Sequence, residues 1–104
     1  MSKVSAVAKL VVKPEKADDF PGAFDEFFAY IADNEPSTEH YVLHRSNAQP
    51  NVFYITEVYA DQAGLDAHST SEAMAKFGAA LGDFIENVDL DFTVPIKAAK
   101  GVEL

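Results

Sequence analysis

The sequence predicts an α+β fold: a ferredoxin-like, antiparallel four-stranded sheet in the order β-α-β-β-α-β, with helices on one face. Three observations predict it. Four short segments are β-rich and mostly alternate apolar and polar residues, and two longer ones carry apolar stripes at helical spacing. The two helical patterns each lie between strand patterns, as crossovers do. The two middle strands are joined by Asn47–Asn51, a loop of hairpin length.

Val4 to Val12 is rich in Val and Ala, and Pro14 ends it, giving a first strand. From Glu15 to Asn34 the period changes. Phe20, Phe24, Phe27, Phe28 and Ile31 form one helical stripe, with Asp25, Glu26 and Asp33 opposite. Pro21 is tolerated only near a first turn, so the regular helix can start late. Asn34-Glu35-Pro36-Ser37 is a stop and turn. Glu39–Ser46 and Val52–Tyr59 read as the second and third strands. Asp61 can cap a short helix reaching His68. Ser69 and Glu72 have capping-box spacing for the next helix, which carries Met74, Phe77, Leu81, Phe84, Ile85 and Val88 on one side. Leu90, Phe92, Val94 and Ile96 alternate with Asp89, Asp91, Thr93 and Pro95 as a fourth strand.

A length of 104 residues suits a single domain spanning 1–104, with 98–104 as a loose or dimer-contacting tail. The second and third strands are apolar on both faces. Helices can cover one face, and a second copy of the chain is the simplest cover for the other. A homodimer packed sheet against sheet is therefore expected.

The net charge of −9 disfavours nucleic acid and anionic membrane as partners, because both need a basic face. The absence of Cys excludes a disulfide frame, a thiolate nucleophile and a Cys-based zinc site. No signal-like segment and no apolar run long enough to span a membrane is visible, so a cytoplasmic protein is expected. Neither a phosphate loop nor a Gly-x-Ser-x-Gly elbow is present.

Chemistry concentrates in Phe53–His68. Glu57 shares a strand face with Phe53, Ile55 and Tyr59, and a buried carboxylate needs a partner or a raised pKa. His68 lies three residues after Leu65 on the short helix and is the expected partner. A Glu57–His68 pair can hold an imidazole as a general base, or simply tie helix to strand. Tyr59 could donate to a substrate oxygen, or be a core aromatic. A cavity between helix and sheet would be lined by aromatics, with Phe24, Phe28, Tyr41, Phe53 and Phe77 as the expected substrate-binding set, and would suit a planar apolar ligand. His40 and His44 share a face of the second strand. Their strand spacing of roughly 13 Å is too wide for one metal ion, so the dimer interface or its rim is their expected place, with His44 in a pocket as the alternative. No metal or other cofactor is expected. Arg45 can bind an anion or form a surface ion pair.

The chain resembles the small antibiotic-biosynthesis-monooxygenase-like (ABM) domains of the dimeric α+β barrel superfamily. The resemblance runs through Val11-Val12-Lys13-Pro14-Glu15-Lys16 before Phe20, Glu35-Pro36 before Tyr41, and Phe53 to His68. In the last segment Phe53, Glu57, Ala63, Leu65 and His68 match a Phe-x-x-x-Glu-x-Trp strand followed by an Ala-x-Leu-x-x-His helix. Two positions depart: Tyr59 stands where the family usually has Trp, and Ala73 where many members have a second histidine. Gly78 stands near the haem-ligating histidine of haem-degrading relatives, so haem is not expected.

The resemblance implies a dimeric α+β barrel with a pocket in each subunit. It also implies a cofactor-independent monooxygenase acting on a small aromatic or quinol-like substrate. His68 and Glu57 would be the acid–base pair, and Tyr59 would contact the substrate oxygen. A cofactor-free isomerase or enolising enzyme with the same pair, or a non-catalytic dimer binding an apolar metabolite, are the alternatives.

Overall fold

A computed structural model describes residues 2–104; Met1, the first residue of the expected domain, lies outside the described residues. The elements are β1 (Val4–Val12), α1 (Asp25–Asn34), β2 (Thr38–Arg45), β3 (Val52–Tyr59), α2 (Gln62–Thr70), α3 (Glu72–Leu81) and β4 (Ile85–Thr93). The strands form one antiparallel sheet in the order β2-β3-β1-β4. This is the expected α+β, ferredoxin-like arrangement, with the chain's first strand at the centre. Among the described residues no helix is long and apolar enough to cross a membrane.

Three boundaries differ from the sequence reading, each for a local reason. The first helical pattern is divided. Two short 3-10 turns, Pro14–Asp19 and Pro21–Phe24, precede α1. Each opens on a proline, whose missing N–H and fixed φ suit a first turn but interrupt a continuing helix. The cap of α3 is Ser71, not Ser69. Ser71 is extended and its Oγ accepts from Met74 N at 3.0 Å, whereas Ser69 still lies inside α2. The last strand starts at Ile85 and ends at Thr93, where pairing with Ser5 stops. Ile85 and Val88 fit a helical stripe and an alternating strand equally well. The helix ends at Leu81 and Gly82 follows as its C-cap, which leaves them to the strand.

The core lies between the helices and one sheet face. Leu10, Val12, Phe53 and Ile55 from the strands meet Phe20, Phe24, Phe27, Ile31 and Phe77. Phe20 is its hub: its ring lies 5.0 Å from that of Phe24, 4.9 Å from Phe53 and 5.5 Å from Phe84. The helical layer stops short of β4. On the same face, Val88, Leu90 and Phe92 are 48%, 52% and 62% exposed. On the opposite face Val7 and Val42 remain in contact with solvent.

Because Phe20 is fully buried among rings it cannot vacate, Phe20→Ala is expected to destabilise the chain by about 3–5 kcal/mol, read as a lowered midpoint in urea unfolding.

Candidate active site

The gap between the helices and β4 is a cavity of about 530 Å3. Its walls are apolar, built by Leu10 and Ile55 from the sheet, Leu65, Met74, Phe77 and Leu81 from α2 and α3, and Val88, Leu90 and Phe92 from β4. Gly78 also lines it, and a Cβ added there would meet nothing within 4 Å. The polar lining residues are few: Tyr41, Glu57, His68 and Ser69.

The structure brings Tyr41, Glu57, His68 and Phe77 of the expected set to this cavity, and leaves Phe24, Phe28, Phe53 and Tyr59 out of its lining. Phe24 and Phe53 are consumed in the core around Phe20. Phe28 packs behind Tyr41, ring centroids 5.5 Å apart, and faces a groove between α1 and β2 instead. Tyr59 is fully buried, and its hydroxyl donates to Glu57 Oε1 at 2.5 Å. It therefore meets the cavity only through Glu57, and lies outside the lining where contact with a ligand oxygen was expected.

The expected Glu57–His68 hydrogen bond is not formed. The partner of His68 is Glu35, whose Oε1 lies 2.9 Å from Nδ1. Thr38 Oγ1 donates to the same Glu35 oxygen at 2.7 Å. The side chains of His68 and Glu35 are 5% and 7% exposed. Glu35 Oε2 is buried with no partner. A sealed carboxylate oxygen of this kind costs roughly 1–3 kcal/mol or more. His68 Nε2 makes no hydrogen bond among the described residues and is not sealed, so it opens on the cavity that the ring lines.

Glu35 was missed because it sits 33 residues before His68, in what reads as a turn. The signal was present in Glu35-Pro36. A residue before proline is pushed out of the helical region, and Glu35 has φ −121° and ψ 76°. The chain therefore leaves α1 here, and the next residues dock on the end of β3: Ala60 N donates to Ser37 O at 2.8 Å. Gly64 of α2 packs on the same turn so closely that a Cβ would lie 2.7 Å from Ser37 Cβ. Main-chain packing thus sets Glu35 against His68.

The electrostatics favour protonated groups. Burial raises the carboxyl of Glu57, with the hydrogen bond from Tyr59 and the nearby His68 opposing the rise. Burial, and then the Glu57 and Glu35 carboxylates, push Tyr41 up. Tyr59 is raised by burial first and then by its bond to Glu57. Both phenols therefore keep their protons at neutral pH.

His40 and His44 lie on the opposite sheet face, away from the cavity. Their rings are not held apart by the strand spacing. Both Nε2 atoms reach Thr56 Oγ1, at 2.8 and 3.0 Å, because Thr56 pairs with Val42 between them. Arg45 bonds Asp18 at 2.9 Å and lies over the Phe53 ring. Among the described residues no group of three or more His, Asp or Glu could hold a metal ion.

The raised Glu57 carboxyl has a consequence for stability. The fold holds this proton more tightly than the unfolded chain does. Its contribution is complete below the ordinary value of 4.5 and is lost as pH rises through the elevated folded value. Glu57→Gln is expected to remove that loss, so its melting temperature relative to the native chain should climb between pH 4.5 and 8. A flat difference across this range would contradict the burial argument.

Known proteins share this architecture. The family model described as antibiotic biosynthesis monooxygenase matches residues 3–80. A protein from Caulobacter crescentus CB15, described as a candidate antibiotic biosynthesis monooxygenase, is 28% identical with a TM-score of 0.86, over 92% of each chain. Rv0793 from Mycobacterium tuberculosis is 20% identical with a TM-score of 0.82, over 95% of this chain and all of its own. PA3566 from Pseudomonas aeruginosa is 20% identical with a TM-score of 0.79, over 93% of this chain and 97% of its own. No curated protein matches. With the family model covering most of its length, the chain belongs to the antibiotic biosynthesis monooxygenase family.

Proposed function

We propose that the protein is a cofactor-independent monooxygenase for a small aromatic, quinol-like substrate. The observation that carries this reading is the cavity itself: apolar walls, with one unpaired imidazole nitrogen among its few polar groups. His68 Nε2 takes the proton of the substrate hydroxyl. The resulting anion is electron-rich and, against the apolar walls of the cavity, less well solvated than in water. Glu57, shifted towards its neutral form and steadied by Tyr59, offers a hydrogen bond to a substrate oxygen. Tyr41, held protonated at the same cavity, is a second donor. The ring supplies the electrons, so quinol plus dioxygen gives hydroxyquinone plus water. His68 returns its proton to the departing oxygen.

The functional unit in this reading is a cytoplasmic homodimer of single domains spanning 1–104. Supporting it are the exposed Val7 and Val42 on the sheet face that the helices leave bare, beside Tyr54 and Val58. The segment 98–104 lies beside Lys3 and Glu39 at the sheet's end, where it could meet a second copy. Light scattering should give twice the 11.3 kDa chain mass at micromolar concentration, and a monodisperse monomer would exclude the sheet-to-sheet dimer.

Oxygen uptake with a panel of benzoquinols and naphthoquinols tests the reaction. His68→Ala is expected to lower kcat by about 10²–10⁴-fold while the fold is retained. Gly78→Leu fills the cavity from α3 without a backbone clash, so it should abolish uptake with the melting temperature preserved. An enolising isomerase would instead exchange substrate hydrogen with solvent and consume no oxygen. Full activity in the His68 variant would remove this histidine from the mechanism.

A further inference from the structure

We propose that Glu35 is the positioning residue of this site. It holds His68 as the Nδ1–H tautomer, so that the bare Nε2 faces the cavity, and it supplies the counter-charge when that nitrogen takes a proton. The inference rests on the reading of His68 as the base.

Three observations carry it. First, an ionised Glu35 can only accept hydrogen bonds. Its Oε1, 2.9 Å from Nδ1, therefore places the ring hydrogen on Nδ1 and the lone pair on Nε2. Second, Glu35 does not reach a ligand held in the cavity. It lies behind the imidazole, lining the groove between α1 and β2 and absent from the cavity wall, so it can act only through His68. Third, a carboxylate is a poor choice for a purely structural link here. The hydrogen bonds from Thr38 and His68 both go to Oε1, while Oε2 is buried and unpartnered. An amide oxygen would serve those two donors without burying a charge. The charge becomes useful only when the imidazole is itself charged. The proton balance is closed. The substrate hydroxyl hydrogen moves to Nε2, the Nδ1 hydrogen stays shared with Glu35, and the Nε2 hydrogen leaves with product.

The test separates acceptor from charge. Nitrogen-15 NMR of the histidine rings in the free protein should show His68 as the Nδ1–H tautomer, retained in Glu35→Gln and mixed in Glu35→Leu. Steady-state oxygen uptake should show Glu35→Gln lowering kcat by about 10–100-fold, as loss of such an outer carboxylate does at other imidazoles. KM should be unchanged and the melting temperature undiminished. A native His68 in the Nε2–H form overturns the proposal, and so does a Glu35→Gln variant with native kcat. A Glu35→Gln variant that loses melting temperature and keeps kcat marks a structural link only. If the native protein turns over no quinol, the reading of the reaction fails while the tautomer signature still decides whether Glu35 orients His68.

Discussion

The helical layer is narrower than the sheet it covers. The inner faces of β3 and β1 are sealed, with Ile55 and Leu10 at 4% and 3% exposure, while the matching row on β4 stays half open. Most features of the molecule follow from this mismatch. An apolar strip without a lid would be a liability on a surface, but here it is the far wall of a cavity. The aromatic core around Phe20 packs tightly at one side, and α3 spans the remaining width with Met74, Phe77, Gly78 and Leu81 facing inwards. The fold thus combines a solid half, which supplies stability, with a hollow half.

The polar groups obey a second constraint. Two carboxylates, an imidazole and two phenols are gathered at the β2–β3 side of the cavity, where desolvation penalises every charge. Packing divides them. Tyr59 is committed to Glu57, and Thr38 and His68 to Glu35, so the two carboxylates sit in separate environments although both lie near the same ring. Pairs of titratable groups set apart in this way are what acid–base chemistry requires.

The element order and sheet topology were legible because alternation and helical stripes are local properties. So were the capping role of Asp61, whose carboxylate accepts from Gly64 N, and the whole of β3. The burial of Glu57 and His68 was legible too. The identity of the partner was not legible. Glu35 reaches His68 only because Pro36 turns the chain and Gly64 lets α2 close on that turn, and neither residue advertises a long-range contact. The lining of the cavity was not legible for a similar reason. A stripe of Phe at helical spacing says which side of a helix is inward, but not whether its neighbours meet each other or a void. His40 and His44 were kept apart by a backbone distance that side-chain rotation towards Thr56 largely cancels.

The open row on β4 and the acid–base cluster near β2 lie towards opposite edges of one sheet. For the proposed substrate, a molecule entering past Leu90 and Phe92 would travel inwards until its leading atoms met His68 and Glu57. Depth of insertion would then select which atom is presented to the imidazole. On the proposed reading the cavity would act as a ruler: among ligands of similar polarity, length measured from the leading oxygen would decide which are read, and ring substituents trailing towards β4 would be free to vary.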